Sequence, residues 1–94
     1  MTSEDRLVYV TTAGCAVCHE KSPLVDELAA QFGLPLERVD SDTPDGAARA
    51  QALRVRGVPT LALVRGERVP FRLLGRMITR ENVEYFFARE AGGP

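Results

Sequence analysis

The pattern of apolar residues changes abruptly near the start of the chain from one typical of a strand to one typical of a helix. Residues 7–12 (LVYVTT) are rich in β-branched and aromatic side chains, which favour a buried strand. From about residue 15 to residue 32, Leu24, Leu28 and Phe32 recur at four-residue spacing, which is the spacing of one helix face. The junction between this strand and this helix carries the only two cysteines and the only histidine of the chain.

The middle of the chain continues this alternation of strands and helices. A second strand is predicted at residues 35–40. The next helix should begin at Thr43, because a threonine followed by proline and aspartate is a strong helix start, and should run towards Val55. The nearly all-apolar run at residues 60–64 then predicts a central strand that is covered on both faces.

The last third of the chain predicts an antiparallel hairpin and a final helix. A turn at residues 65–67 leads to a strand at residues 68–74, and Pro70 places that strand at the sheet edge because proline cannot donate a ladder hydrogen bond. Thr79 should cap the last helix, whose apolar face is formed by Val83, Phe86 and Phe87. The order β-α-β-α-β-β-α indicates an α/β domain over residues 1–94, with a central mixed sheet flanked by helices.

Length and charge exclude several classes of function. A chain of 94 residues suffices for one small domain, and its net charge of -1 argues against bulk binding to nucleic acid or an anionic membrane. No segment approaches the ~20 apolar residues of a membrane span. The start MTSED is acidic, whereas a signal peptide needs a basic start and an apolar run. We therefore expect a cytoplasmic monomer, in a compartment where thiols are kept reduced.

The segment CAVCH at positions 15–19 admits several interpretations, of which the first is a dithiol redox site. Cys15 at the helix start meets free backbone N–H groups and the positive end of the helix dipole, which stabilise a thiolate. Cys18 follows one turn deeper on the same side of the helix, within reach of the first sulfur. Disulfide exchange needs this arrangement, in which one thiolate attacks and a second thiol resolves the mixed disulfide.

Three other interpretations of these letters stay open. The pattern C-x-x-C-H also attaches haem covalently, with Met77 as the internal candidate for a second axial ligand, although covalent haem normally implies export. Zinc would find three donors in Cys15, Cys18 and His19, and only a site shared between two chains would supply a fourth. The cysteines could also be plain core residues, but functional sites of α/β folds gather at such strand–helix junctions.

Three segments of the sequence resemble thioredoxin, and together they extend over nearly the whole chain. CAVC is followed, five residues after its second cysteine, by Pro23 and an apolar–acidic run, like the kinked helix of thioredoxins. GVPT at positions 57–60 resembles the cis-proline loop before the third strand of that family. Leu74 and Gly75, followed by Thr79 and a last helix, resemble its glycine loop and final helix. From these segments the chain is identified as a member of the thioredoxin-like family.

The resemblance implies a single thioredoxin-like domain that acts as a dithiol–disulfide oxidoreductase with a redox-active Cys15–Cys18 disulfide. Cys15 would be the attacking thiolate and Cys18 the resolving thiol. Val58, Pro59 and Gly75 would bind an extended segment of a protein disulfide substrate, with a cis peptide bond before the proline. The resemblance implies no bound cofactor or metal. Electrons would come from a flavin-dependent thioredoxin reductase or a low-molecular-weight thiol.

The sequence also departs from thioredoxin around the motif. No tryptophan precedes Cys15, and the inner dipeptide is Ala-Val instead of Gly-Pro. Tyr9 stands where many thioredoxins bury an acid, which removes an expected proton carrier for Cys18. A glutaredoxin-like protein is the alternative within the class. The segment after Gly75 lacks the Gly-Gly-x-Asp turn that helps glutaredoxins to hold glutathione, so we expect glutathione to be a poor ligand.

Three further residues are candidate modulators of the site. His19 lies one helical turn after Cys15, and its protonated form would favour the thiolate. Arg56 and Arg76 flank the predicted proline and glycine loops, where they would form a basic rim for an acidic partner. The alternative interpretation is that each of the three is a solvated surface residue without a role in the site.

Overall fold

The computed structural model describes residues 5–91 as a four-stranded sheet flanked by three helices, and the predicted order of elements is confirmed. The strands are β1 (Asp5–Thr11), β2 (Leu36–Asp40), β3 (Thr60–Arg65) and β4 (Arg68–Leu74). The helices are α1 (Ala16–Phe32), α2 (Pro44–Ala52) and α3 (Arg80–Ala91), with a short 3-10 turn at Gly75–Met77. The ends of the predicted domain, positions 1 and 94, lie outside the described residues.

The strand order β2-β1-β3-β4 determines which loops meet. β1 and β2 are parallel, whereas β3 is antiparallel to both β1 and β4, so the sheet is mixed as predicted. Val10, near the end of β1, pairs with Thr60 at the start of β3. The segment that leads from β1 into the cysteines therefore lies at the same end of the sheet as the loop before Thr60. β4 is an edge strand, which confirms the expectation from Pro70.

Each face of the sheet has its own hydrophobic cluster because successive side chains of a strand point to opposite sides. Leu7 and Tyr9 of β1 pack on the face covered by α1 and α3, which we call the aromatic face. Val8 and Val10 pack on the opposite face, covered by α2, which we call the α2 face. Both faces of the central strands are thus buried, as predicted for β3, and each fully buried apolar side chain contributes roughly 1.5–3 kcal/mol.

The ends of the helices agree with the sequence except at α2. α3 is capped as predicted, since Thr79 Oγ1 accepts a hydrogen bond of 3.1 Å from the backbone N–H of Asn82. α2 ends at Ala52, short of the predicted Val55, because Arg54 adopts a left-handed backbone conformation with φ 60° that cannot continue a helix. Among residues 5–91, none of the helices combines the length and the apolar character needed to span a membrane.

Candidate active site at the cysteine motif

Cys15 is the N-cap of α1, and its geometry follows from that position. Its backbone is extended (φ -96°, ψ 108°), and its Sγ accepts a hydrogen bond of 3.0 Å from the backbone N–H of Cys18. The first turn of α1, which the structure describes in full, contains no acidic residue. A sulfur at this end of a helix meets the positive end of the dipole without a competing carboxylate in that turn, which favours the thiolate.

Cys18 lies one turn into α1 and is joined to Cys15 by a disulfide, with their Cα atoms 5.2 Å apart. The two residues differ in access to solvent. Cys15 is half-buried at the surface end of the pair, whereas Cys18 is only 3% exposed. An incoming disulfide can therefore approach the sulfur of Cys15 more readily than that of Cys18.

Tyr9 lies beneath the motif and is fully buried. Its hydroxyl donates a 2.7 Å hydrogen bond to the backbone carbonyl of Cys18. Burial raises the pKa of this phenol above its ordinary value, and the Arg38 guanidinium near its ring opposes that shift. The sequence indicates only that Tyr9 stands where many thioredoxins bury an acidic residue. The signal for the contact was present, since a buried tyrosine hydroxyl usually finds a hydrogen-bond partner.

The predicted proline and glycine loops lie together. The Val58–Pro59 peptide bond is cis, as predicted, and Pro59 is fully buried. The backbone N–H of Gly75 donates a 2.8 Å hydrogen bond to the carbonyl of Pro59, and the left-handed φ of 60° at this position suits glycine. Beside the joined loops, Leu74 and Met77 expose more than half of their surface, at 54% and 59%.

The three candidate modulators have different surroundings. The His19 ring places Nε2 3.2 Å from the carbonyl oxygen of Ala13, so the tautomer protonated at that nitrogen ties the first turn of α1 to the preceding loop. Arg76 forms a 2.8 Å ion pair with Glu20. The Glu20 carboxylate therefore balances the positive charge that Arg76 would contribute to the predicted basic rim. Arg56 is exposed and forms no ion pair within the part of the chain that the structure describes.

Several solved thioredoxin structures are similar to this chain. A thioredoxin variant from Halobacterium salinarum is 26% identical and covers 94% of this chain and 74% of its own, with a TM-score of 0.73. Thioredoxin O2 from Arabidopsis thaliana is 25% identical over 93% of this chain and 73% of its own, at a TM-score of 0.70. Thioredoxin 1 from Thermosipho africanus is 21% identical and covers 93% of this chain and 94% of its own, with a TM-score of 0.76, so it is similar in fold. The chain is a thioredoxin-fold protein, as the sequence predicted.

A match to a family model identifies the family of the chain within the thioredoxin fold. The model of the family described as "TraF: F plasmid transfer operon protein" matches residues 2–82, so the chain belongs to this family. No curated protein matches the sequence. The thioredoxin fold and the C-x-x-C pair at the start of α1 together support a thiol–disulfide oxidoreductase.

Proposed function

We propose that the protein reduces or exchanges disulfides in other proteins through Cys15 and Cys18. The observation that carries this proposal is the inequality of the two sulfurs within one redox pair. Cys15 is half-buried at the helix N-cap and accepts an N–H hydrogen bond, whereas Cys18 is buried one turn inward. Exchange through a mixed disulfide requires such a pair, with one accessible nucleophile and one shielded resolving thiol.

The reduction of a substrate disulfide proceeds in two balanced steps. The Cys15 thiolate attacks one substrate sulfur, a bond forms between them, and the other substrate sulfur leaves as a thiolate that takes up a proton. Cys18 then loses its proton and attacks Cys15 Sγ, which releases the second substrate sulfur as a thiol. Two electrons have passed to the substrate, and the protein holds the Cys15–Cys18 disulfide.

The surrounding chain assists these steps at defined atoms. The backbone N–H of Cys18 and the dipole of α1 stabilise negative charge on Cys15 Sγ. The Tyr9 hydroxyl holds the carbonyl of Cys18 and so orients the first turn of the helix. A phenol is protonated at neutral pH and can donate, and burial raises the pKa of Tyr9 further from neutrality.

The substrate segment binds along the joined loops in this proposal. The fold places Val58 and Pro59 at the same end of the sheet as the cysteines, and Gly75 is hydrogen-bonded to that loop. An extended segment can pair with main-chain groups there, while the exposed Leu74 and Met77 offer apolar contact to its side chains.

We also propose that the protein acts as a cytoplasmic monomer without a bound cofactor. Its electrons would come from a flavin-dependent thioredoxin reductase or a low-molecular-weight thiol. A coupled assay that compares these two sources on one protein disulfide tests the proposal. We expect turnover with the reductase, and weak, unsaturable turnover of glutathione mixed disulfides. Rapid, saturable deglutathionylation through Cys15 alone would instead identify a glutaredoxin-like protein.

Two further measurements can overturn the proposal. A glutathione titration of the purified protein should show one dithiol–disulfide equilibrium, and its absence would indicate a redox-inert binding module. The absorption spectrum should lack a Soret band, because a dithiol protein does not absorb there. A Soret band in the purified protein would identify a c-type haem electron carrier with CAVCH at positions 15–19 as its attachment site.

A further inference from the structure

Two arginines of this chain differ from the others in their surroundings. The sequence contains twelve lysines and arginines, and Lys21 is the only lysine among them. Within residues 5–91, every arginine except Arg54 and Arg56 donates a side-chain hydrogen bond or forms an ion pair. Both exceptions are exposed, and both follow α2 on the way to the cis-proline loop. Their charges are therefore free to meet an external partner.

Arg54 and Arg56 line an open cavity of about 830 Å³ on the α2 face. Part of its wall is apolar, with Val10 at the end of β1, Ala50 of α2 and Val58 of the cis-proline loop, and Ser41 and Gln51 add polar groups. The same two arginines line a neighbouring cavity of about 240 Å³ that reaches Leu74 and Arg72. None of the described residues lining either cavity is acidic. This surface thus combines apolar walls with uncompensated positive charge.

The backbone of Arg54 indicates that local structure does not favour arginine at this position. α1 and α2 end alike: the N–H of Leu34 bonds to the carbonyl of Ala29, and that of Val55 bonds to the carbonyl of Ala50. In α1 the left-handed residue of this motif is Gly33, with φ 65°, whereas in α2 it is Arg54, with φ 60°. Glycine adopts this conformation without steric penalty, and arginine does not. Residues held in such conformations cluster at functional sites.

We propose that this cavity binds an acidic segment that neighbours the target disulfide of a protein substrate. The proposal rests on the proposed function and adds a substrate class to it. Val58 belongs both to the cavity wall and to the loop that pairs with the substrate, so a segment running along that loop continues over the cavity. Guanidinium groups form charge-assisted hydrogen bonds with carboxylates, and complementary charge raises the rate of encounter.

The test uses three synthetic peptides with the same intramolecular disulfide and two variable residues next to one cysteine. These residues are Asp-Asp, Asn-Asn or Lys-Lys, and the measurement is the rate constant for reduction by the wild-type dithiol protein. We expect the acidic peptide to react about five- to tenfold faster than the neutral one at low salt, and the lysine peptide to react more slowly. The acidic advantage should shrink as salt screens the charges.

Two double variants assign the effect to the cavity. Arg54→Gln with Arg56→Gln should bring the acidic-to-neutral rate ratio close to one. Arg68→Gln with Arg89→Gln is the matched control, because it removes the same charge from exposed residues at the start of β4 and near the end of α3. The control should keep the wild-type ratio, and the thermal midpoint of each variant should verify that it is folded.

The outcomes separate this inference from the proposed function. Reduction of all three peptides at equal rates, or an equal loss of the ratio in both double variants, would overturn the inference while the oxidoreductase proposal stands. Failure of the wild type to reduce even the neutral peptide would overturn the proposed function. Saturable reduction of oxidised glutathione that depends on Arg54 and Arg56 would show that the cavity holds a small anion, which contradicts the protein segment proposed here.

Discussion

The two faces of the sheet are packed differently. The aromatic face buries large side chains, including Leu28, Leu61 and Phe71, and stacks the rings of Phe32 and Phe87 with their centroids 4.0 Å apart. The cluster on the α2 face consists of valine, alanine and a single buried leucine, and an open cavity of about 830 Å³ adjoins it. The aromatic face also holds Tyr9, which is hydrogen-bonded to the cysteine helix. The α2 face carries Arg54 and Arg56, which have no side-chain partner within residues 5–91.

This difference suggests a division of roles. Dense packing restricts side chains to one arrangement, which suits the positioning of reactive sulfurs. A loosely filled face beside a loop leaves room for the side chains of a partner, which suits docking. The chemistry would then depend on the face covered by α1 and α3, and the choice of substrate on the face covered by α2.

Substitution of either cysteine should have the largest effect on turnover. Cys15→Ser should abolish turnover and trap almost no partner protein, because the attacking sulfur is gone. Cys18→Ser should also abolish turnover but should accumulate covalent complexes at Cys15, because attack persists and resolution fails. Non-reducing gels and iodoacetamide alkylation rates at neutral pH measure both variants. Equal trapping, or trapping mainly through Cys18, would show that the roles are reversed.

Truncating one leucine on each face should reveal their unequal packing. Leu28→Ala on the aromatic face removes a fully buried side chain and should lower the free energy of unfolding by about 3–5 kcal/mol. Leu53→Ala on the α2 face should lower it by only about 2–3 kcal/mol, since Leu53 already lines a cavity of about 520 Å³. Urea unfolding of the oxidised proteins, followed by circular dichroism, compares the two. Equal losses would contradict the proposed difference between the faces.

The hydrogen bond between Tyr9 and Cys18 should make a smaller contribution. Tyr9→Phe should lower the free energy of unfolding by about 0.5–1.5 kcal/mol and change the reduction potential of the cysteine pair, because the carbonyl of Cys18 loses its phenol donor. Tyr85→Phe is the control, since Tyr85 is 55% exposed and should change neither quantity measurably. An unchanged potential in the Tyr9 variant would remove this residue from the site and leave it a purely structural role.

The α2 face should respond to pH through Glu37. Its hydrogen bond to Arg49 lowers the pKa of Glu37 in the folded protein below the ordinary value. A carboxylate of this kind stabilises the fold above its ordinary pKa, and the stabilisation disappears as pH falls through the lowered value. Glu37→Gln should therefore cost about 0.5–1 kcal/mol at pH 7 and nothing near pH 2. A difference between variant and wild type that persists at pH 2 would contradict this origin, and exposed Glu67→Gln should show no difference at either pH.

Small effects of opposite sign should come from the ends of α1 and α2. Gly33→Ala forces a side chain into the left-handed conformation and should lower the free energy of unfolding by about 1 kcal/mol. Arg54→Gly relieves the same conformation but adds freedom to the unfolded chain, so the net change should lie between zero and a gain of about 1 kcal/mol. Thermal unfolding of the two variants provides the measurement. A marked loss of stability in Arg54→Gly would mean that arginine is retained there for the fold and not for a partner.

Much of the fold could be predicted because its signals are local. Three signals depend on neighbours within about one turn: the β-branched and aromatic run at residues 7–12, the four-residue spacing in α1, and the N-caps at Thr43 and Thr79. The end of α2 could not be predicted in the same way. The residue that stops this helix is an arginine in a conformation that sequence patterns assign to glycine, so the pattern favoured a longer helix.

The sequence by itself determined the order of the elements, the position of Cys15 at a helix start and, through resemblance, the cis bond before Pro59. Only the tertiary structure decided that Tyr9 reaches the carbonyl of Cys18 and that Glu20 neutralises Arg76, 56 residues along the chain. Only the tertiary structure decided that Arg54 and Arg56 lie beside a cavity and have no side-chain partner among the described residues. The physical reason is that helix caps and periodicity depend on near neighbours, whereas the partner of a side chain depends on strand register and on how the helices pack across the sheet.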